Sequence, residues 1–192
     1  MKHTLLILVT LCSTSAFAQS PVPVINNADI DSSGSRYQGN LSVNQAAGDQ
    51  QQQANARAFA AGPEAGATTQ IRQRLNAPAT SAMDARATIQ GDAFSNGSGA
   101  LGVNQSAGAN TQQANALSIS IGAQPQSIDD SVLMQQNVAL INNSGATDIP
   151  AGYRQVTTSD QAFTGSRGVI QLNQSAGVGN RMANTLSIRV AD

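Results

Sequence analysis

Most of what builds a packed domain or an active site is scarce in this 192-residue chain. It has one Cys, one His, one Lys, no Trp, two Tyr and four Phe. Lys2, His3 and Cys12 all fall in a segment with the marks of a cleaved export signal. Lys2 supplies its positive start, Leu5–Leu11 its short apolar run, and Ala16-Phe17-Ala18 its small-residue cleavage site. Cleavage before Gln19 removes residues 1–18, and the exported product then has no Cys, His or Lys. No disulfide framework stabilises it, despite an oxidising destination. Most nucleophile–base pairs and metal clusters are excluded, so the sequence predicts no enzyme, no cofactor and no small-molecule substrate. The apolar run is too short to span a bilayer, and no later stretch approaches the roughly 20 residues that a membrane helix needs. Nine Arg against eleven acids leave a net charge of −2 after cleavage, which argues against nucleic acid or an anionic membrane as partner.

Large aliphatics are sparse too. Leu, Ile, Val and Phe make up 32 of the 174 residues from Gln19 onward, while 16 Asn and 21 Gln fill the gap. Such amide-rich, weakly charged chains are disordered alone and prone to β-assembly. Charge and proline are unevenly spread. All six prolines and all but four charges lie outside three related segments, and those four are Asp49, Arg57, Arg181 and Arg189. Soluble β proteins use charge and proline to block edge-to-edge association. Here those breakers are confined to the connecting stretches.

The three segments are Gly39–Ala61, Gly99–Ile121 and Gly168–Val190, each 23 residues long. Aligned without gaps they share seven identical columns: a leading Gly, then Asn-Gln, Ala-Gly and Ala-Asn. A unit that cannot bury a core alone is expected to stack on its copies. Each copy opens with alternating apolar residues (Leu41/Val43, Leu101/Val103, Ile170/Leu172). It closes the same way, most clearly at Leu117-Ser-Ile119-Ser-Ile121 and Leu186-Ser-Ile188-Arg-Val190. A period of two marks strands, and the Ala-Gly between them is a site for chain reversal. Each copy therefore reads as strand, bend, strand. The first is the poorest, with Arg57 where the others have Leu117 and Leu186.

Stacked in register, identical amides can donate to and accept from their counterparts one rung away, at about 4.7–4.8 Å spacing. The candidate ladder is Asn44, Gln45, Gly48 and Asn55 in the first copy, with Asn104, Gln105, Gly108 and Asn115 in the second. Asn173, Gln174, Gly177 and Asn184 complete it in the third. Solvated turn amides would be scattered, whereas the eleven residues from first to last Asn recur in all three copies. The predicted fold is all-β, a three-repeat β-solenoid of cross-β layers that is largely disordered before assembly.

The chain divides into the signal (1–18), an N-terminal segment (19–38), repeats at 39–61, 99–121 and 168–190, linkers at 62–98 and 122–167, and a tail at 191–192. A short signature precedes the second and third copies, from Asp92 to Ser98 and from Asp160 to Ser166. A weaker form runs from Ile30 to Ser35. Each is expected to add a short strand. The stretch Ser127–Asp130 resembles a capping box ahead of Val132–Ile141, yet that window also alternates like a strand. Asp129-Asp130 is the one adjacent acidic pair and reads as solvated linker.

The signature V-N-Q-[AS]-A-G followed by Q-x-A-N resembles the Fap functional-amyloid subunit family of pseudomonads. The likeness covers the three copies and the signal, while the linkers match in character. Compact repeats, short linkers and no Cys-x-x-Cys near the end are most similar to the minor subunit. The resemblance implies a secreted subunit of extracellular biofilm fibres. It also implies a nucleating role, a related major subunit as partner and an outer-membrane secretion pore. The rival reading is a monomeric β-helical surface adhesin, which would need capped ends and an aromatic or charged binding face. A secreted β-helical hydrolase is disfavoured by the missing catalytic residues.

Overall fold

A computed structural model describes residues 24–75, 83–122 and 152–191. The expected export signal, the Asp129-Asp130 pair and the ambiguous 132–141 window lie outside the described residues. Among the described residues nine strands follow in order: β1 (Val24–Asp31), β2 (Gln38–Ala47), β3 (Gln52–Ala61), β4 (Met83–Gln90), β5 (Ser98–Ala109), β6 (Gln112–Gly122), β7 (Arg154–Thr158), β8 (Arg167–Val178) and β9 (Arg181–Ala191). They form three parallel three-stranded sheets, β1-β4-β7, β2-β5-β8 and β3-β6-β9.

Three strands make one rung. In the first rung the chain runs along β1, turns, returns along β2, bends and continues along β3. β4–β6 and β7–β9 repeat this path. The β2 sheet touches the β1 sheet on one face and the β3 sheet on the other, while among the described residues the two outer sheets do not meet. Each rung of the layered stack is thus a serpentine of three strands. Register is unbroken: Asn104 pairs with Asn44 on one side and Asn173 on the other, and Asn115 with Asn55 and Asn184.

The apolar core lies between the first and middle sheets. Ile30, Tyr37, Ile89, Phe94, Leu101 and Val103 are buried there, with Leu41, Val43 and Leu172 packed against them. Each fully buried aliphatic or aromatic side chain contributes roughly 1.5–3 kcal/mol. Small residues (Ala28, Ala85, Ala87, Ala107) continue the seam beside the bend and bring the sheets close. The aliphatics of the third sheet contribute less: Leu117 is buried, but Ile121 is 52% exposed and Val190 50%.

The signatures expected to be short strands are turns. Residues 91–96 and 160–165 turn, and only Ile30 and Asp31 of the weaker form belong to a strand, closing β1. The reason is local: Ser32, Arg36, Phe94, Asn96 and Phe163 all have positive φ, which a strand does not accommodate. The extra strand of each rung lies just upstream, as β1, β4 and β7. Phe94 and Phe163 stack from adjacent rungs with centroids 5.4 Å apart, so the turns carry core side chains.

Part of the stretch 62–98 runs back along the outer face of the third sheet. Ala67 N donates to Ser120 Oγ (2.8 Å), Gln73 Nε2 to Gln113 O (3.0 Å) and Gln52 Nε2 to Arg74 O (2.9 Å). Beneath this strap Ala114, Ala116, Ser118 and Ser120 are buried.

Candidate functional site: the amide columns

Parallel in-register strands place identical side chains one above another, and here the stacked residues are carboxamides. Asn104 Nδ2 donates to Asn44 Oδ1 and Asn173 Nδ2 to Asn104 Oδ1, each at 2.9 Å. On the facing sheet Asn115 Nδ2 donates to Asn55 Oδ1 (2.9 Å) and Asn184 Nδ2 to Asn115 Oδ1 (3.1 Å). The two columns are bonded across each rung as well, Asn55 to Asn44 at 2.8 Å, Asn115 to Asn104 at 3.0 Å and Asn184 to Asn173 at 3.0 Å. A two-column asparagine zipper therefore fills the space between the middle and third sheets.

The glutamine column points the other way, into the seam with the first sheet. Gln105 Nε2 donates to Gln45 Oε1 and Gln174 Nε2 to Gln105 Oε1, both at 2.8 Å. The same amino groups reach backbone carbonyls: Gln105 to Ala28 O and Thr88 O, Gln174 to Thr157 O, Gln45 to Asp29 O. Asn104 and Asn173 likewise donate to Ala54 O and Ala114 O. These carbonyls fix the amide orientation, since a flipped amide would set oxygen against oxygen.

Burial peaks in the middle rung. Asn104 and Gln105 are wholly buried and Asn115 is 1% exposed, whereas Asn44 on the first rung is exposed. An unpaired buried amide costs about 1–3 kcal/mol, so the middle rung depends on its neighbours above and below.

The glycine columns are set by the same close stacking. Gly48, Gly108 and Gly177 have φ of 106°, 121° and 119°. A Cβ at Gly48 would collide with Gly108 O, and one at Gly108 with Gly177 O. Gly39, Gly99 and Gly168 repeat this in the opposite sense, for a Cβ at Gly99 would meet Gly39 O and one at Gly168 would meet Gly99 O.

A second set of amides lies outside the predicted ladder, supplied by Gln52 and Gln53 of the first copy and Gln112 and Gln113 of the second. Gln53 Nε2 donates to Ser106 Oγ (2.9 Å) and Gln113 Oε1 (3.0 Å), Gln113 Nε2 to Ser175 Oγ (3.0 Å), and Gln112 Nε2 to Gln52 Oε1 (2.8 Å). Their signal was present as glutamines shared by the first two copies, but the third has Arg181 and Met182 there. Arg57 takes a leucine's position by donating to Asn40 Oδ1 (2.8 Å) and Leu41 O (2.7 Å), and burial lowers its pKa. Gly102 leaves room for it, since a Cβ there would lie 2.6 Å from Arg57 Nη2.

Chemically, this arrangement holds rungs together. Among the described residues no group of metal-ligating side chains forms, and no helix is long and apolar enough to cross a membrane. No solved structure matches the chain. A family model, described as the functional amyloid protein FapB/FapC family, matches residues 12–191.

Proposed function

Because the chain belongs to the FapB/FapC family of functional amyloid proteins, a structural and not an enzymatic family, we propose that it is a secreted minor subunit that nucleates extracellular fibres. On this reading residues 1–18 direct export, the chain passes an outer-membrane pore largely unfolded, and it folds as it joins a stack. Its partners are further copies of itself and a related major subunit.

One observation carries the reading. The amide columns that are saturated in the middle rung are open at both ends. Asn44 Nδ2 donates to nothing, and Asn184 Oδ1 accepts nothing, among the described residues. Among the described residues each end also shows three unpaired strand edges, which template further strands unless blocked. Asn44, Gln45, Gly48 and Asn55 at one end, with Asn173, Gln174, Gly177 and Asn184 at the other, are the assembly residues. Asn104, Gln105, Gly108 and Asn115 hold the rungs between them.

The experiment uses the purified chain from Gln19 onward. It is expected to form fibres and, in substoichiometric amounts, to shorten the lag of the major subunit. Fibres without that shortening would make it an extending subunit. A chain that stays soluble and monomeric for days would favour the adhesin.

A further inference from the structure

The two ends of the rung stack differ chemically, and the difference dictates how copies join. We infer that the molecule grows head to tail only, with the first-rung face of one copy seated on the third-rung face of another. This rests on the fibre reading above and adds the direction of the contact.

In the three invariant amide columns every inter-rung side-chain bond runs one way, from later rung to earlier. The third rung therefore presents amide oxygens outward, and the first presents amino groups. Two like ends would set donor against donor or acceptor against acceptor. The Gln53–Gln113 column runs oppositely but ends at Met182, which cannot extend it.

Charge agrees. The described third rung carries Arg154, Arg167, Arg181 and Arg189 against Asp160, a net +3. The first carries Arg36 and Arg57 against Asp29, Asp31 and Asp49, a net −1 between residues 24 and 61. Unlike ends attract and two third rungs repel.

Shape agrees as well. Between β8 and β9 lies an open groove of roughly 550 Å³ lined by Ile170, Gln171, Leu172, Asn184 and Leu186. The corresponding seam of the middle rung is filled by the rungs on either side. Continuing the register over the groove sets a second copy's Asn44 above Asn173, its Gln45 above Gln174 and its Asn55 above Asn184.

The glycine columns supply separate probes for the two faces. A Cβ at Gly39 meets nothing within 4 Å among the described residues, yet one rung up the same column collides with a carbonyl. Gly39→Ala thus blocks the first-rung face alone. A Cβ at Gly177 meets only the Arg154 side chain, 2.9 Å from Cδ, and that flexible chain can swing aside. Gly177→Ala blocks the third-rung face alone. Gly179, with φ of 72° and open space around it among the described residues, gives a nearby control for adding a methyl group at a left-handed glycine.

The test follows single wild-type fibres growing from labelled seeds with excess variant added. Gly39→Ala is expected to cap one end, slowing it about tenfold or more, and Gly177→Ala to cap only the other. Both together stop growth, and Gly179→Ala leaves both ends growing. Asn44→Asp keeps the oxygens that accept from Asn55 and Asn104 while losing the outward donor, so it should cap the same end as Gly39→Ala. The inference is overturned if either glycine variant slows both ends equally, if the two slow the same end, or if neither slows any. Failure of the wild-type chain to form fibres would instead remove the fibre reading itself.

Discussion

Asn44 and Asn104 occupy the same column, and comparing them separates a finished molecule from a stacking one. Asn104→Ala removes donated bonds to Asn44 Oδ1, Ala54 O and, more weakly at 3.3 Å, Asn55 Oδ1, and accepted bonds from Asn115 and Asn173. Five bonds at roughly 0.5–1.5 kcal/mol each, reduced because one is long and the asparagine neighbours keep other partners, give about 2–4 kcal/mol. Asn44→Ala in a lone chain removes only the acceptor for Asn55 and Asn104, at an exposed edge, and costs about 1 kcal/mol. In a fibre Asn44 is no longer at an edge. It donates into the third rung of the preceding copy, and its loss should then cost as much as that of Asn104. The assay is the critical concentration for fibre formation at equilibrium. Both variants are expected to raise it by about 30-fold or more, and to agree within about threefold. If Asn44→Ala stays near wild type while Asn104→Ala is crippled, the columns do not continue between copies and the reasoning fails.

Gly108→Ala should be far more damaging than its size suggests. The Cβ collides with the Gly177 carbonyl and the residue has a φ of 121°, so fibre yield is expected to fall to background at concentrations where wild type assembles fully. Leu117→Ala, at a wholly buried position, should cost about 2–5 kcal/mol in resistance to guanidinium, and Ile121→Ala, half exposed, less than about 1. Equal midpoints for the two would mean that the third sheet packs differently. Added salt should slow elongation by screening the +3 and −1 faces, over the range in which the Debye length shrinks from about 10 to 3 Å. A rate that is flat or rising with salt would remove the electrostatic part of the head-to-tail contact.

The amide columns were legible in the sequence because repetition reports register directly. Copies displaced by 60 and 69 residues can align identical side chains only by lying in parallel, and Asn44, Asn104 and Asn173 do so. The Gly48, Gly108 and Gly177 column was legible for a related reason, since only glycine tolerates a carbonyl one rung away. The expected reversal at Ala-Gly is displaced, however: Gly108 and Gly177 sit inside β5 and β8, and those chains bend at 110–111 and 179–180. The first sheet was harder to see. No column is identical in all three of Val24–Asp31, Met83–Gln90 and Arg154–Thr158; the matches join two strands at a time, as Ala28 with Ala87, Ile30 with Ile89 and Thr88 with Thr157. The alternation Met83, Ala85, Ala87, Ile89 was a signal, but it lay within a stretch taken for a linker. The Phe94 and Phe163 signatures misled for the opposite reason. Their similarity reflects a shared turn with positive φ and not a shared strand. Where the polar and apolar seams lie was not readable from one copy. It depends on which neighbour each strand face meets, a property of the serpentine path and not of local period.

Mass per length of the assembled fibre tests the central claim most directly. Three rungs at about 4.7–4.8 Å each predict one chain for every 14 Å or so of fibre axis, with the 4.7–4.8 Å cross-β reflection along the same axis. One chain for every 4.7–4.8 Å would mean that each molecule lies flat in a single layer, with its three copies side by side, and would contradict the stacked columns on which the account rests.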